Sequence, residues 1–239
     1  MKKSQLRQII REEIRRIKEA AGGTMEILNT PVDEAIVFSE KIGLDLSEIP
    51  NFERNYEHAR SLCAKYGKTK RKDMPVINPE DVKKLQSRLV NGKIDINEPF
   101  SSDTSIENPF PEGLTGKQAK EFLARGFKDG SKGDDIIKAS ISKMPIGKLK
   151  PIQRQIYADK SLKSINFSGP QGFIKFATTA GYFITSADGF IIDGHHRWLS
   201  GLMVNPKMNV QCFIIDLPIR KLLPLSLAYG DAIGNKRNS

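Results

Sequence analysis

The stretch Phe190-Ile191-Ile192-Asp193-Gly194-His195-His196-Arg197-Trp198 constrains this chain more than any other. Three apolar residues read as the end of a buried strand. Asp193-Gly194 breaks it, and Trp198, Leu199, Leu202 and Met203 follow at helical spacing. A strand that runs into a helix in this way presents unpaired N–H groups and the positive end of the helix dipole. Gly194 lets a ligand approach the backbone closely. His195, His196 and Arg197 add donors and positive charge, and two of the chain's three histidines stand here. That is the chemistry of a phosphate or carboxylate cradle. Basic residues in a first turn oppose the helix dipole, and a bound anion would relieve the conflict. The plainer alternative is an ordinary Asp-Gly turn followed by a solvated first turn, with Asp193 as a helix cap. The residues alone leave both readings open.

The rest of the chain supplies a scaffold for this turn. Residues 2–20 carry Leu6, Ile9, Ile10, Ile14 and Ile17 near helical spacing among mostly charged neighbours, and Gly22-Gly23 closes the segment. Such a basic amphipathic helix suits a membrane surface, nucleic acid or a partner helix, or packs on its own domain. Residues 32–42 read as a helix, 44–50 as a loop and 80–89 as a helix ended by Asn91-Gly92. The Pro-, Asn-, Ser- and Asp-rich stretch 95–113 reads as irregular. Thr115 is placed to cap a helix through Gln118, Phe122, Leu123 and Phe127. Residues 136–146 alternate like a strand, with Ile137, Ala139 and Ile141 on one side. Leu149-Lys150-Pro151 turns a corner, and 152–162 and 170–176 read as helices. Residues 182–185 and 190–192 form a hairpin across Ala187-Asp188-Gly189. The helix behind the cradle ends near Asn205-Pro206, 210–215 is a buried strand and 218–229 a final helix. This order predicts a small α+β domain on a mixed sheet. Residues 1–22 would form a basic helical arm, 23–113 a helical and partly irregular extension, and 114–239 the domain itself.

A formal net charge of +10 points to an anionic partner: nucleic acid, a nucleotide or an acidic protein surface. Between positions 60 and 72 the charged residues are Arg60, Lys65, Lys68, Lys70, Arg71 and Lys72, all basic. With Tyr56 and Tyr66 nearby, this segment suits nucleic-acid phosphates with base stacking, or a solvated loop. Cys63 and Cys212 lie in no metal-type spacing and read as free thiols of a reducing compartment. No apolar run reaches the roughly 18 residues a membrane span needs, and no secretory signal is expected. P-loop, H-E-x-x-H, G-x-S-x-G and C-x-x-C patterns are missing from the sequence. Adjacent histidines point apart on any regular backbone, so they are poor co-ligands of one ion. Magnesium held mainly by a nucleotide phosphate, with Asp193 as the protein's oxygen ligand, fits better.

Asp-Gly-His-His-Arg-Trp after an apolar strand resembles the signature of the ParB/sulfiredoxin superfamily. The stretch 144–161 (MPIGKLKPIQRQIYADKS) is similar to that superfamily's opening strand and its Leu-x-Pro corner, here Leu149 and Pro151. From about Arg71 onward the chain resembles uncharacterised ParB-like proteins of large tailed phages, through phrases of the type "MPVI", "GHHRW" and "GDAIGN". The basic opening is likewise similar to that of many phage proteins. The resemblance implies a mixed-sheet fold that binds nucleotide phosphates at the 193–197 turn. It also implies residence in the host cytoplasm or in the virion, with residues 2–20 docking on a phage structural protein.

The roles this implies are specific. Backbone at Gly194, His195 and His196 would hold a phosphate, and Arg197 would clamp it bidentately. His195 or His196 would stabilise transferred charge or act as acid or base near neutral pH. Asp193 would hold magnesium or orient a hydroxyl. Gln153 would face the same pocket, with Tyr157, Asp159 and Lys160 at its edge. Where sulfiredoxins carry a catalytic Cys, this chain has His195. Where the free serine kinases place a glutamate base, it has Gln153, which leaves Asp193 or Glu112 to substitute. The partition proteins' helix-turn-helix has no counterpart in the roughly 40 residues after Trp198. The expectation is a nucleotide- or phosphoryl-ligand-binding protein supporting phosphoryl transfer or nucleotide hydrolysis. The alternative is a DNA-binding, nuclease-like or virion-associated protein without nucleotide chemistry.

Overall fold

Strand β3 (Phe183–Ser186) and strand β4 (Phe190–Asp193) form the expected hairpin. The computed structural model describes residues 25–77, 79–94, 116–124, 133–179 and 181–235. The arm over 2–20 with its docking role, the stretch 95–113 with Glu112, and the Thr115 cap all lie outside these residues.

Alternation along the strands divides the molecule. Phe183, Ile191 and Cys212 belong to one apolar cluster, and their neighbours Ile184, Ile192 and Phe213 to another. Successive side chains on a strand face opposite ways, so each sheet face needs its own cover. The sheet has five strands in the order β1-β5-β3-β4-β2. Here β1 is Ala139–Pro145, β2 is Lys150–Pro151 and β5 is Asn209–Ile215. The β1–β5 and β3–β4 pairs are antiparallel, and β3–β5 and β2–β4 are parallel. Among the described residues eight α-helices flank this mixed sheet. On the Phe183 face lie α1 (Val32–Lys41), α2 (Phe52–Tyr66), α5 (Ala158–Ser168), α6 (Pro170–Thr179) and α7 (His195–Val204). On the Ile184 face lie α3 (Pro79–Val90), α4 (Gly116–Ala124) and α8 (Ile219–Ala232). This is an α+β architecture.

Residues before position 114 contribute to both cores. Ile27, Ala35, Phe52, Tyr56, Ala59 and Cys63 fill the first cluster, and Met74, Ile77, Leu85, Leu89 and Ile94 the second. The phrases "MPVI" and "GDAIGN" meet here. A Cβ on Gly230 would lie 3.0 Å from the Val76 carbonyl oxygen, and Asn235 Nδ2 donates to that oxygen at 2.8 Å.

Three expectations are corrected. The basic run does not form a loop throughout. Arg60 and Lys65 sit on α2, whose buried stripe is Phe52, Tyr56, Ala59 and Cys63 at helical spacing. Residues 71–73 make a 3-10 turn. The helix expected over 152–162 begins only at Ala158. Residues 152–157 run extended because the backbone is bonded on both sides. Lys68 and Thr69 N–H groups reach the Ile152 oxygen, Arg154 N–H reaches the Thr69 oxygen, and on the far side Ile27 N–H reaches the Ile156 oxygen. Ladder bonds of this kind override local helical periodicity. On β1, Ile141 is 57% exposed although its alternation had placed it inward, because β1 is an edge strand.

Candidate functional site

The β4–α7 turn is fixed by its glycine and by the tryptophan one turn later. Gly194 is the N-cap of α7 at φ 108, and Trp198 N–H donates to its oxygen at 2.8 Å. Trp198, Leu199, Leu202 and Met203 are fully buried, which pins the helix to the sheet. The N-cap is the glycine itself, and Asp193, expected there, ends β4 one residue earlier. The neighbouring Gly194 N–H favours its charged form, against the burial that raises its pKa. A Cβ on Gly194 would lie 2.8 Å from Phe183 Cδ1, so the space beside this glycine belongs to a core ring. Packing and a left-handed φ require glycine here, whereas the sequence had suggested room for a ligand.

Both histidines point inward. His195 is 4% exposed, and its Nε2 accepts the Gln153 N–H at 3.2 Å. The Nε2 of His196 accepts the Tyr157 N–H at 3.2 Å, and its ring stacks on the Tyr157 ring with 5.8 Å between centroids. An imidazole nitrogen that accepts an N–H is unprotonated, which assigns the single proton of each neutral ring to Nδ1. Burial first, then the His196 and Arg71 charges, push the pKa of His195 down to about 3. Burial, Arg71 and Lys160 push His196 down to about 4. Both rings are therefore neutral at neutral pH. Neutral rings add no positive charge of their own to the turn.

Gln153 reaches the turn, although through its main chain. Its side-chain amide donates to the Gln155 oxygen, and the residue is buried. The Ser161 hydroxyl lies 3.1 Å from the His196 oxygen, and that of Ser200 lies 3.0 Å from it, which ties α5 to α7. Arg197 turns toward the hairpin. Its Nη2 donates to the Tyr182 oxygen at 2.7 Å, and its guanidinium stands 4.3 Å from the centre of the Phe183 ring. Part of its donor set is thus committed to the fold, where a bidentate phosphate clamp had been expected. Asp193 is exposed as a residue. The surrounding protein nevertheless displaces water from its carboxyl and raises its pKa, against the opposing Arg197 charge. Solvent contact makes it the carboxylate of this turn that a ligand could meet.

Of the basic run, Arg71 joins the turn. Its N–H donates to Gln155 Oε1 at 2.7 Å, its guanidinium stands 5.9 Å from the Tyr157 ring, and its charge acts on both histidines. Lys160, in the first turn of α5, stands 4.9 Å over the same ring from its Nζ. Arg60 instead pairs with Glu57 at 3.5 Å, and Lys65 lies 5.1 Å from the Tyr66 ring. Lys68, Lys70 and Lys72 are exposed beside Arg71 in the chain. Asp159 is buried and meets Lys163 Nζ at 3.9 Å. Gln155, Ser161, Ser200 and Phe183 were missed by sequence reasoning, because their partners lie far away in the chain.

No group of three His, Cys, Asp or Glu side chains among the described residues could hold a metal ion. Cys63 and Cys212 are free and buried, and burial raises their pKa values to about 12 and about 11. No helix among the described residues is long and apolar enough to cross a membrane. Comparison with protein-family models, curated proteins and solved structures finds no match.

Proposed function

We propose that this is a ParB/sulfiredoxin-like protein of the phage type that binds a nucleotide or other phosphorylated ligand where β4 runs into α7. One observation carries the reading: the amino-terminal ends of α5 and α7 meet, bridged by the bond from Tyr157 N–H to His196, with Arg71 and Lys160 beside them. Two positive dipole ends and the positive charges of Arg71 and Lys160 converge on one spot, where an oxyanion is favoured. The neutral histidines order the turn and hold Nδ1 protons without adding charge. Phosphoryl transfer or hydrolysis would draw on Asp193, as the oxygen ligand of a magnesium ion carried mainly by the ligand's phosphates. Gln153, with its amide turned to Gln155, supplies no base.

A second reading places a DNA phosphate at the same turn, and exposed Lys68, Lys70 and Lys72 next to Arg71 favour it. The experiment is a thermal-shift and calorimetric screen of nucleoside di- and triphosphates with magnesium, wild type beside Arg71→Ala/Lys160→Ala. A ligand at about 100 times its Kd should stabilise wild type by about 2.7 kcal/mol and the double variant by clearly less. No response to any nucleotide sinks the reading. Duplex binding that weakens steeply with salt in its place would support the DNA alternative.

A further inference from the structure

A cavity of about 930 Å³ opens at the opposite end of α7 from the turn, between that end, the start of α2, the 3-10 turn after β1 and the start of α6. Its walls carry Arg54, His58, Lys148 and Lys207, with Ile174 and Val204 as apolar surface. We propose that this cavity is a second binding site, for a small organic polyanion. The inference stands apart from the reading of the turn.

Charge decides the sign of the ligand. Arg54, Lys148 and Lys207 face a single lining carboxylate, Glu48. Arg54, His58, Lys148 and Lys207 are exposed, and their side chains form no ion pair among the described residues. Arg54 and His58 are four residues apart on α2, so they share one helix face. Two helix amino-termini adjoin the cavity, that of α2 at Asn51 and that of α6 at Gln171. The carboxyl end of α7 also borders it, but a helix end carries only about half a charge, against three full cationic charges here. Asn51, the N-cap of α2, adopts the left-handed conformation (φ 60) that asparagine tolerates, and its side chain does not cap α2. The volume exceeds what a lone phosphate fills and falls in the range of small-molecule pockets, while Ile174 and Val204 suit an organic body.

The chain's histidines give the test its readout. His58 lines the cavity, whereas His195 and His196 stand at the other end of α7, about 15 Å away along a helix of this length. Full-length protein with isotope-labelled histidine would be titrated by NMR with ATP in the absence of magnesium, with tripolyphosphate, and with adenosine as the uncharged control. ATP should move the His58 resonance saturably, tripolyphosphate should do so more weakly, and adenosine should not. In Arg54→Ala/Lys148→Ala, two exposed positions, the ATP affinity read at His58 should fall about tenfold or more. The proposal is overturned if neither anion moves His58, if adenosine moves it as strongly, or if the double variant responds like wild type. It is also overturned if ATP moves only His195 and His196, an outcome that leaves binding at the turn intact. Tripolyphosphate binding as tightly as ATP would overturn the role given to Ile174 and Val204.

Discussion

Gly194→Ala separates two accounts of the motif glycine. If its purpose is to admit a ligand, the substitution should spare stability and abolish binding. The structure points to a folding cost instead. Alanine at φ 108 carries backbone strain of about 1–2 kcal/mol. The new methyl would also lie 2.8 Å from Phe183 Cδ1 and 3.2 Å from Arg197 Nη2. Phe183 is fully buried, so its ring cannot swing aside, and overpacking of this kind costs about 1–3 kcal/mol. The expected loss is about 2–5 kcal/mol. Gly181→Ala is the control for strain alone, since its φ is 75 and the nearest atom to its Cβ is Arg197 Nη1 at 3.4 Å. It should lose only about 1 kcal/mol. Adding Phe183→Leu to Gly194→Ala should recover part of the loss, giving a coupling of about 1 kcal/mol or more. The assay is urea denaturation followed by the fluorescence of the single tryptophan, Trp198, which is fully buried. A Gly194→Ala loss below about 0.5 kcal/mol, or a strictly additive double variant, would refute the reasoning.

Two further outcomes follow from the same geometry. Burial pushes the pKa values of His195 and His196 down to about 3 and about 4, far below the 6.5 of a solvated imidazole. Their stabilisation is therefore fully present above pH 6.5 and is lost as pH falls toward those values, because the unfolded chain takes up protons first. Between pH 7 and pH 5 His195 should account for about 2 kcal/mol of lost stability, and the less buried His196 for less; His195→Gln should flatten the pH profile, and an unchanged slope would contradict the assignment. Asn55→Ala removes a buried amide that donates to the Met203 oxygen at 2.9 Å and thereby joins α2 to α7. It should lower stability by about 1–3 kcal/mol in the same denaturation assay, and a loss within about 0.5 kcal/mol would show that this bond does not hold the two helices.

The sequence by itself determined the elements whose information is local. Apolar alternation and the Ala187-Asp188-Gly189 turn define the β3–β4 hairpin. Helical periodicity and its stop signals define α1, α3, α7 and α8 to within a few residues. Asp193-Gly194 marks the break before α7, and the cluster of basic residues there is visible in the primary chain. The helix α2 escaped because its buried stripe is made of Phe52, Tyr56, Ala59 and Cys63, with Ala and Cys among charged neighbours, which local hydrophobicity does not single out. The extended run 152–157 escaped for the opposite reason: its own periodicity favours helix, and main-chain bonds to residues far along the chain prevail. Only the tertiary structure decided that β5 lies between β1 and β3, and that Arg71 stands at the turn while Arg60 does not. It also decided that both imidazoles face backbone N–H groups and lose their charge. Local spacing encodes periodicity and backbone freedom. Protonation state, donor availability and the company a side chain keeps depend on desolvation and on partners that only the packed core brings together.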